Sequence, residues 1–413
     1  MYIPFISRKP KVDPSEEVNL ALDIGTSFIK AAIFQVEDNE VVVKGYAKIK
    51  QQSNAMHGAM IVNIKKVVSV CDLVIGEALH MADKIIGQER KIESYETPTP
   101  SKVILGIAGE FVKGVAILAN YEREDPNEKI TIQEIQEVVE SVKEQSFVGV
   151  IEEIAEEIGV DTNQIVEINS VINSTYIDGI KVDNPEGFTG KEVSYRVFTT
   201  FAPSIHLNSL KEVVEALNLE LGSIEVEPYA IARALRGAKE EAFSGIIIDI
   251  GGGTTDIALV DSGGVIGTKM FVFGGDVFTK RLEVDFNKDF AKAEELKLDY
   301  SDLKLTETMS KKVKQSLGKD IPVWVDGVEL ALADFEDIHT YPSDIYICGG
   351  GSVLPDMKEG LIEHPWLQVL PFQKFPRTTH IFPNQLAGLL DKTKKLIDPS
   401  DIAPASLALS MLE

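Results

Sequence analysis

Cysteine is nearly absent from this 413-residue chain, with Cys71 and Cys348 the only two. Both sit in apolar runs, which points to buried free thiols in a reducing compartment rather than to a disulfide framework. No Cys/His spacing of the zinc type occurs, and the six histidines are too scattered to compose a catalytic triad. Basic residues are also short: 41 Lys and Arg face 65 Asp and Glu, a formal net charge of -24. A surface of that sign cannot neutralise a phosphate backbone, so nucleic acid is excluded as a partner. It gains nothing from an anionic membrane either. Long hydrophobic runs are missing too, and no stretch reaches the ~20 apolar residues that span a bilayer. Met1 to Phe5, followed by Arg8, Lys9 and Lys11, reads as a disordered leader. The expectation is a cytoplasmic protein whose association with the inner face of a membrane is indirect, through partners. At 413 residues, two or more domains are expected.

Glycine, by contrast, is concentrated where it can do chemistry. Two acidic turns recur far apart, Asp23-Ile24-Gly25-Thr26-Ser27 and Asp249-Ile250-Gly251-Gly252-Gly253-Thr254-Thr255-Asp256. Each follows a short apolar run and leads into another, so each reads as strand, tight turn, strand. Glycines let backbone N–H groups close around phosphate oxygens, where a side chain would block the approach. Hydroxyls add donors, and an aspartate can hold Mg²⁺ through water. Two such turns facing each other would clamp a triphosphate. An ordinary hairpin with glycine at the turn accounts for Asp23–Ser27 about as well, but suits the triple glycine of the second run poorly. A third strand runs into Gly349-Gly350-Gly351-Ser352.

Along the chain, 41–49 reads as a strand and 67–85 as a helix. Pro98 and Pro100 mark a boundary. Residues 103–108 and 112–118 read as partner strands, and a capping box at Thr131 and Glu134 opens a helix lined by Ile135, Val138, Val139 and Val142. A second short helix through Ile151, Ile154 and Ile158 and strands at 165–173 and 192–200 complete a small α+β block. A helix over 207–217, then a strand and a helix over 224–235, lead to the second half. There, 285–305 reads as an exposed charged helix, 323–332 as a hairpin turning at Asp326-Gly327, and 402–412 as an amphipathic closing helix.

Three glycine-rich strand ends in this order resemble the actin-like ATPase superfamily. Within it the chain is similar to FtsA, the bacterial cell-division actin homologue. The residues that carry this are the two acidic turns, Gly274-Gly275-Asp276, Gly349–Gly351 and the block from Val103 to Gly109 with its capped helix. The resemblance implies an α/β actin-like fold: two duplicated ribonuclease-H-like domains around a nucleotide cleft, with an inserted small α+β subdomain. The domains it implies are a leader (1–17), a first actin-like domain (18–100 and 191–240), an inserted interaction subdomain (101–190) and a second actin-like domain (241–413). Residues 286–340 would be the second domain's smaller part. Two departures stand beside it. The chain stops at Glu413 without FtsA's basic amphipathic tail, so weak intrinsic membrane binding is expected. Glu225-Val226-Glu227-Pro228-Tyr229-Ala230 and the leader also look like PilM of type IV pilus assembly.

The resemblance implies ATP and Mg²⁺ as cofactors, with Asp23 and Asp249 holding hydrated metal. Gly25, Thr26 and Ser27 would cradle one side of the phosphates and Gly251, Gly252, Gly253, Thr254 and Thr255 the other. Lys30 would reach phosphate, although a solvated lysine fits as well. Glu227 lies where relatives position attacking water, and a charge at a helix N-terminus is the equal alternative. Glu294 and Lys297 match the helix that contacts ribose and purine, or form a plain exposed i,i+3 pair. Gly275 and the late loop Gly349, Gly350, Gly351 and Ser352 would pass beside the adenosine. The function implied is nucleotide-dependent self-association, as filament or dimer, with recruitment of division proteins such as the tubulin-like FtsZ. Any ATPase would be slow. A PilM-like platform for pilus proteins is the alternative, and a small-molecule kinase lacks an evident general base.

Overall fold

The computed structural model describes residues 17–412 apart from 110–111, 183, 240–242 and 336–337. The leader, up to residue 16, lies outside the described residues. The first half opens with β1 (Asn19–Ile24), β2 (Phe28–Glu37) and β3 (Glu40–Lys50). A small hairpin, β4 (Met56–His57) and β5 (Met60–Ile61), precedes helix α1 (Ile64–Arg90) and strand β6 (Lys102–Ile107). α1 starts where Asn63 accepts a hydrogen bond from the Lys66 N–H, satisfying one orphan donor of its first turn. Its apolar stripe, from Val67 through Val74 to Ala82, buries on β2 and β3.

A block of β7 (Lys113–Glu122), α2 (Ile132–Ile158), β8 (Ile165–Ile177), β9 (Ile180–Val182) and β10 (Glu192–Pro203) follows. Helix α3 (Ser204–Ala216), β11 (Leu221–Val226) and α4 (Glu227–Lys239) lead to the second half. That half holds β12 (Gly245–Ile250), β13 (Thr255–Asp261) and β14 (Gly264–Phe271), then α5 (Gly275–Phe286), α6 (Phe290–Ser301), α7 (Glu307–Leu317) and α8 (Ile321–Ala333). The chain ends with β15 (Asp344–Cys348), α9 (Pro355–Glu363), α10 (Trp366–Val369), β16 (Arg377–His380), β17 (Leu389–Asp391) and α11 (Ile402–Leu409).

Sheet order exposes the duplication. One sheet runs β11-β6-β1-β2-β3 and the other β16-β15-β12-β13-β14, the same series of pairings in both halves. In each, the hairpin is antiparallel (β1 with β2, β12 with β13) and its first strand pairs in parallel on the other side, with β6 or β15. Each acidic turn is therefore the tip of a hairpin at the sheet centre, where both faces are covered. β1 is buried over its whole length, and so is β12 save Asp249, as strands sandwiched between helices must be.

Several expectations are corrected by these pairings. β6 lies in the first sheet between β11 and β1, so residues 102–107 belong to the first half and not to the inserted block. β6 and β7 sit in different sheets and are not partners. β7 pairs with β14 at Gly267–Val115 and Thr268–Gly114, so β7, β10, β8 and β9 extend the second sheet. Contact is that close because Gly114 has no side chain: a Cβ there would fall 2.6 Å from both the Phe198 ring and Thr268. β10 belongs to this block up to Pro203, beyond the expected limit of 190. The C-terminal stretch returns to the first half, with β17 pairing β3 and α11 packing on α4 and β1. α11 is buried on every side rather than amphipathic, because it fills the first core.

Helix boundaries shift for local reasons. α2 is one continuous helix where two were expected; Gly149 costs only about 1 kcal/mol in a helix interior, too little to end it. Thr131 caps it as expected, but the Glu134 carboxylate pairs with Arg123 at 2.6 and 3.0 Å instead of closing a capping box. Val139 and Val142 are not described at side-chain level. Residues 323–332 form α8, not a hairpin: Pro322 occupies its first turn, and Ile321, Trp324, Val325, Val328 and Leu332 bury one helical face. Gly327 serves close packing there, since a Cβ would lie 2.9 Å from the Phe271 ring. The charged stretch 285–305 is interrupted at Asn287, with α6 confined to 290–301, and Ala293, Leu296, Lys297 and Tyr300 are buried. No helix among the described residues is long and apolar enough to cross a membrane.

Candidate functional site

The two hairpin tips meet. In each, the first glycine N–H donates to a carbonyl three residues on, Gly25 to Phe28 at 3.1 Å and Gly251 to Thr254 at 2.9 Å. That bond closes the turn and leaves its outer N–H groups unspent: among the described residues, Thr26, Ser27, Gly252 and Gly253 have no acceptor. Such N–H groups, converging from two sides, form an anion cradle. The tips also touch. Ser27 Oγ donates to Asp276 Oδ1 at 3.0 Å across the gap, and a Cβ on Gly252 would lie 1.8 Å from that same Oγ. One cavity of about 420 Å³ runs along this junction, a size that accommodates a nucleotide.

Acidic side chains form its floor. Asp23 and Asp249 stand near the ends of the first strands of their hairpins, Asp256 lies at the start of β13, and Glu227 starts α4. All four line the cavity together with Lys30, whose Nζ donates to Asp23 Oδ2 at 2.6 Å. Burial pushes the Asp249 carboxyl up to about 6, with Lys30 pulling it down and Asp23 adding to the rise. Asp256 is pushed up to about 7 by burial and then by Asp249. Glu227 is raised well above the usual carboxylate range by burial and the charges of Asp23 and Asp249. Burial works against the Lys30 ammonium, but Asp23, Asp249 and Glu227 outweigh it and its pKa is raised. Three carboxyls thus resist ionisation for want of positive charge. An all-oxygen set of this kind suits a hard divalent cation such as Mg²⁺. Asp249 and Asp256 are the groups whose burial such a cation would offset, since Asp23 is already paired.

The second half supplies the far wall. Lys297 on α6 reaches the cavity with its Nζ bonded to Gly275 O at 2.8 Å, Thr279 Oγ1 at 2.7 Å and Glu294 Oε2 at 2.8 Å. Glu294 also accepts from Thr279 Oγ1. This pair is buried in the site, not an exposed helix pair. Across from it, a Cβ on Gly350 would meet nothing nearer than Ser400 at 3.9 Å, so the late loop leaves room for a planar ring. Gly349 is different: its φ is 81°, and a Cβ there would lie 2.0 Å from Asp249 Oδ1, so only glycine lets β15 turn beside that carboxylate.

Most expected site residues therefore line one cavity: Asp23, Gly25, Thr26, Ser27, Lys30, Glu227, Asp249, Gly251, Gly252, Thr254, Gly275, Glu294, Lys297 and Gly349 to Gly351. Three do not. Thr255 is fully buried, donating to Phe273 O at 2.6 Å and accepting from the Trp324 indole at 2.9 Å, which ties β13 to α8. Ser352 is buried and donates to Gly349 O at 2.8 Å, stiffening the late loop. Gly253 packs on Thr26 outside the cavity lining. Other lining residues were missed by sequence reasoning. Asp256 belongs to the second motif, but no role for it followed from the motif alone. Lys48 lines the cavity beside Ser400, bonded at 2.9 Å, with its pKa lowered by burial and by Lys30. Gly106, Ile107 and Ala108, at the end of β6 and just beyond it, line it too. Gly106 makes room for Glu227, whose Oε1 would lie 2.2 Å from a Cβ there. A signal exists for it: Gly106 interrupts an otherwise apolar strand, as a close approach demands.

The chain is similar to known proteins along much of its length. A family model described as "Cell division protein FtsA" matches residues 246–378, the stretch holding the second turn and the late glycine loop. The chain is 26% identical over 281 residues to the protein of that name from Neisseria meningitidis, covering 68% of this chain and 60% of that one. With the Bacillus subtilis protein it shares 22% over 289 residues, 68% of this chain and 58% of the other. With that of Streptococcus pneumoniae it shares 24% over 364 residues, 82% and 71%. The matches thus span about 60% of the length of the first two relatives. The resemblance to FtsA read from the sequence is borne out. The fold is similar to a solved "PilM-PilN type IV pilus biogenesis complex", with a TM-score of 0.66, 16% identity, and 98% and 100% of the two chains covered. The actin-like ATPase fold is borne out as well.

Proposed function

We propose that the chain binds ATP with Mg²⁺ between its two halves and that bound nucleotide favours an arrangement that self-assembles and recruits division proteins, as a scaffold of bacterial cell division. The observation that carries the nucleotide reading is the pair of turns with uncommitted N–H groups over a buried carboxylate cluster. Phosphate would take the N–H groups of Thr26, Ser27 and Gly252, which line the cavity. Asp249, with Asp23 and Asp256 beside it, would hold the hydrated metal, which supplies the positive charge these carboxyls lack. Glu227 stands at the head of α4 on the floor of the cavity, as the residue that would orient a water. Burial and the charges of Asp23 and Asp249 raise its pKa well above the usual carboxylate range, and any hydrolysis is expected to be slow.

The division role rests on the relatives named "Cell division protein FtsA". Self-association and binding to the tubulin-like FtsZ are the expected partner contacts. The fit to the PilM–PilN structure along the whole chain favours a second reading, a nucleotide-loaded platform for a pilus protein. Calorimetry with Mg-ATP on wild type and Asp249→Ala tests the site, with binding expected only in the former. Co-sedimentation with and without ATP, and with FtsZ or a pilus N-terminal peptide, then separates the roles. Equal Mg-ATP affinity in both proteins would sink the assignment of Asp249 to the site, and no Mg-ATP binding by wild type would sink the nucleotide reading.

A further inference from the structure

A second polar cluster lies outside the cleft lining, on the outward side of α8. α8 buries Trp324, Val325, Val328 and Leu332 and turns Asp326 and Glu329, one helical turn apart, outward. His364, directly after α9, meets them: its Nε2 is 2.7 Å from Glu329 Oε2. One ligand atom from each of Asp326, Glu329 and His364 lies within 4.8 Å of the other two.

The imidazole is held in place. Its ring packs edge-on against Trp366 with centroids 4.3 Å apart. Trp366 is itself fully buried, with its indole N–H donating to Leu361 O at 2.7 Å. Backbone bonds from His364 N to Gly360 O (3.2 Å) and from Trp366 N to His364 O (2.9 Å) fix the corner. Glu329 is set on a rigid helix, and Asp326 is exposed with no hydrogen bond or ion pair among the described residues. One imidazole and two carboxylates thus converge on one point, with the imidazole fixed by its packing.

We propose that Asp326, Glu329 and His364 form a site for a divalent transition metal, with zinc the expected occupant, that ties α8 to the corner between α9 and α10. One imidazole nitrogen and two carboxylate oxygens are a borderline donor set, which suits Zn²⁺ and discriminates against Mg²⁺ with its demand for oxygen. Metal–ligand bonds of about 2.0–2.2 Å in a tetrahedron separate ligand atoms by roughly 3.4 Å. The His364–Glu329 contact therefore opens from 2.7 Å to about 3.4 Å and the exposed Asp326 swings in. Three protein ligands leave the fourth position to water. The acidic chain, at -24, adds a favourable field for any cation.

The test is zinc titration of the full chain by calorimetry at pH 7.5 under excess Mg²⁺, which occupies hard-oxygen sites including the cleft. Wild type should bind one Zn²⁺. His364→Gln and Glu329→Gln should each weaken it by at least about tenfold, the lower end seen for losing even an outer partner of a metal. Asp326→Asn, a change at an exposed side chain, gives a third variant should either of the others fail to fold. Ni²⁺ should quench tryptophan fluorescence through the ring next to His364, and Trp366→Phe should remove that quenching. Asp249→Asn should leave zinc binding unchanged, which separates this site from the nucleotide reading. No zinc binding by wild type, or equal binding in wild type and the variants, would overturn the proposal. Loss in His364→Gln alone would reduce the site to a lone histidine and overturn it as well.

Discussion

Asp249→Asn sets stability against binding most sharply. Burial raises the Asp249 carboxyl from 3.8 to about 6, and a raised carboxylate pKa marks a charge that the folded chain tolerates worse than the unfolded one. Its stabilising contribution is full below pH 3.8 and is lost as pH rises through about 6. The displacement corresponds to roughly 3 kcal/mol, reached above pH 6 and falling to below about 1 kcal/mol near pH 4. Asparagine has nearly the same shape and no charge to bury. In the absence of nucleotide the variant should therefore exceed wild type in stability at pH 8 by up to about 3 kcal/mol, or roughly 6–12 °C in melting temperature for domains of this size. The gap should close on acidification to pH 4. Adding Mg-ATP at a hundredfold its Kd should raise wild type by about 2.7 kcal/mol and leave the variant where it was. Melting curves at pH 4, 6 and 8, with and without Mg-ATP, check all three expectations. A wild type as stable as the variant at pH 8, or a difference that ignores pH, would refute the reading of Asp249 as a buried charge awaiting a cation.

Other expectations follow from single contacts. Gly349→Ala places a Cβ 2.0 Å from Asp249 Oδ1 in a left-handed backbone; Mg-ATP affinity measured by calorimetry should fall more than about tenfold, a cost above 1.4 kcal/mol. Gly106→Ala drives a Cβ to 2.2 Å from Glu227 Oε1, so single-turnover ATP hydrolysis should drop while Mg-ATP affinity changes little. Arg123 is buried, paired with Glu134 and bonded to Glu128 O and Gly190 O. Arg123→Ala should destabilise the block around α2 by about 3 kcal/mol, seen as faster limited proteolysis there with Mg-ATP affinity unchanged. The acidic-pH loss of nucleotide binding should track Asp249 and Asp256: affinity falls as pH drops below about 7 and then about 6, because both carboxyls take up protons that the metal must displace.

Much of the site was legible in the sequence because its parts are local. An aspartate at a strand end, followed by glycine and a hydroxyl, specifies a hairpin tip within six residues, and both tips stand at the expected places, Asp23–Ser27 and Asp249–Thr254. The helical stripe of α1 and the strand–helix passage into Glu227 were legible for the same reason, since periodicity and caps act over one or two turns.

Placement across the chain was not legible. A run such as 102–107 fits any sheet, and only pairing with Asn19–Leu22 on one side and 221–226 on the other puts it in the first half. Asp-Gly at 326–327 reads as a turn, yet burial of Trp324, Val325 and Val328 against the second core outweighs that local preference and makes a helix. Thr255 and Thr254 are neighbours of one type, but Thr255 opens β13 and turns toward Trp324 while Thr254, in the turn before it, lines the cavity. The sequence by itself determined which residues could bend around a phosphate and which runs would be helix or strand. The tertiary structure decided which of them meet, because pairing register and shared cores depend on residues hundreds of positions apart. Asp276 facing Ser27 and Gly106 facing Glu227 are contacts of that kind.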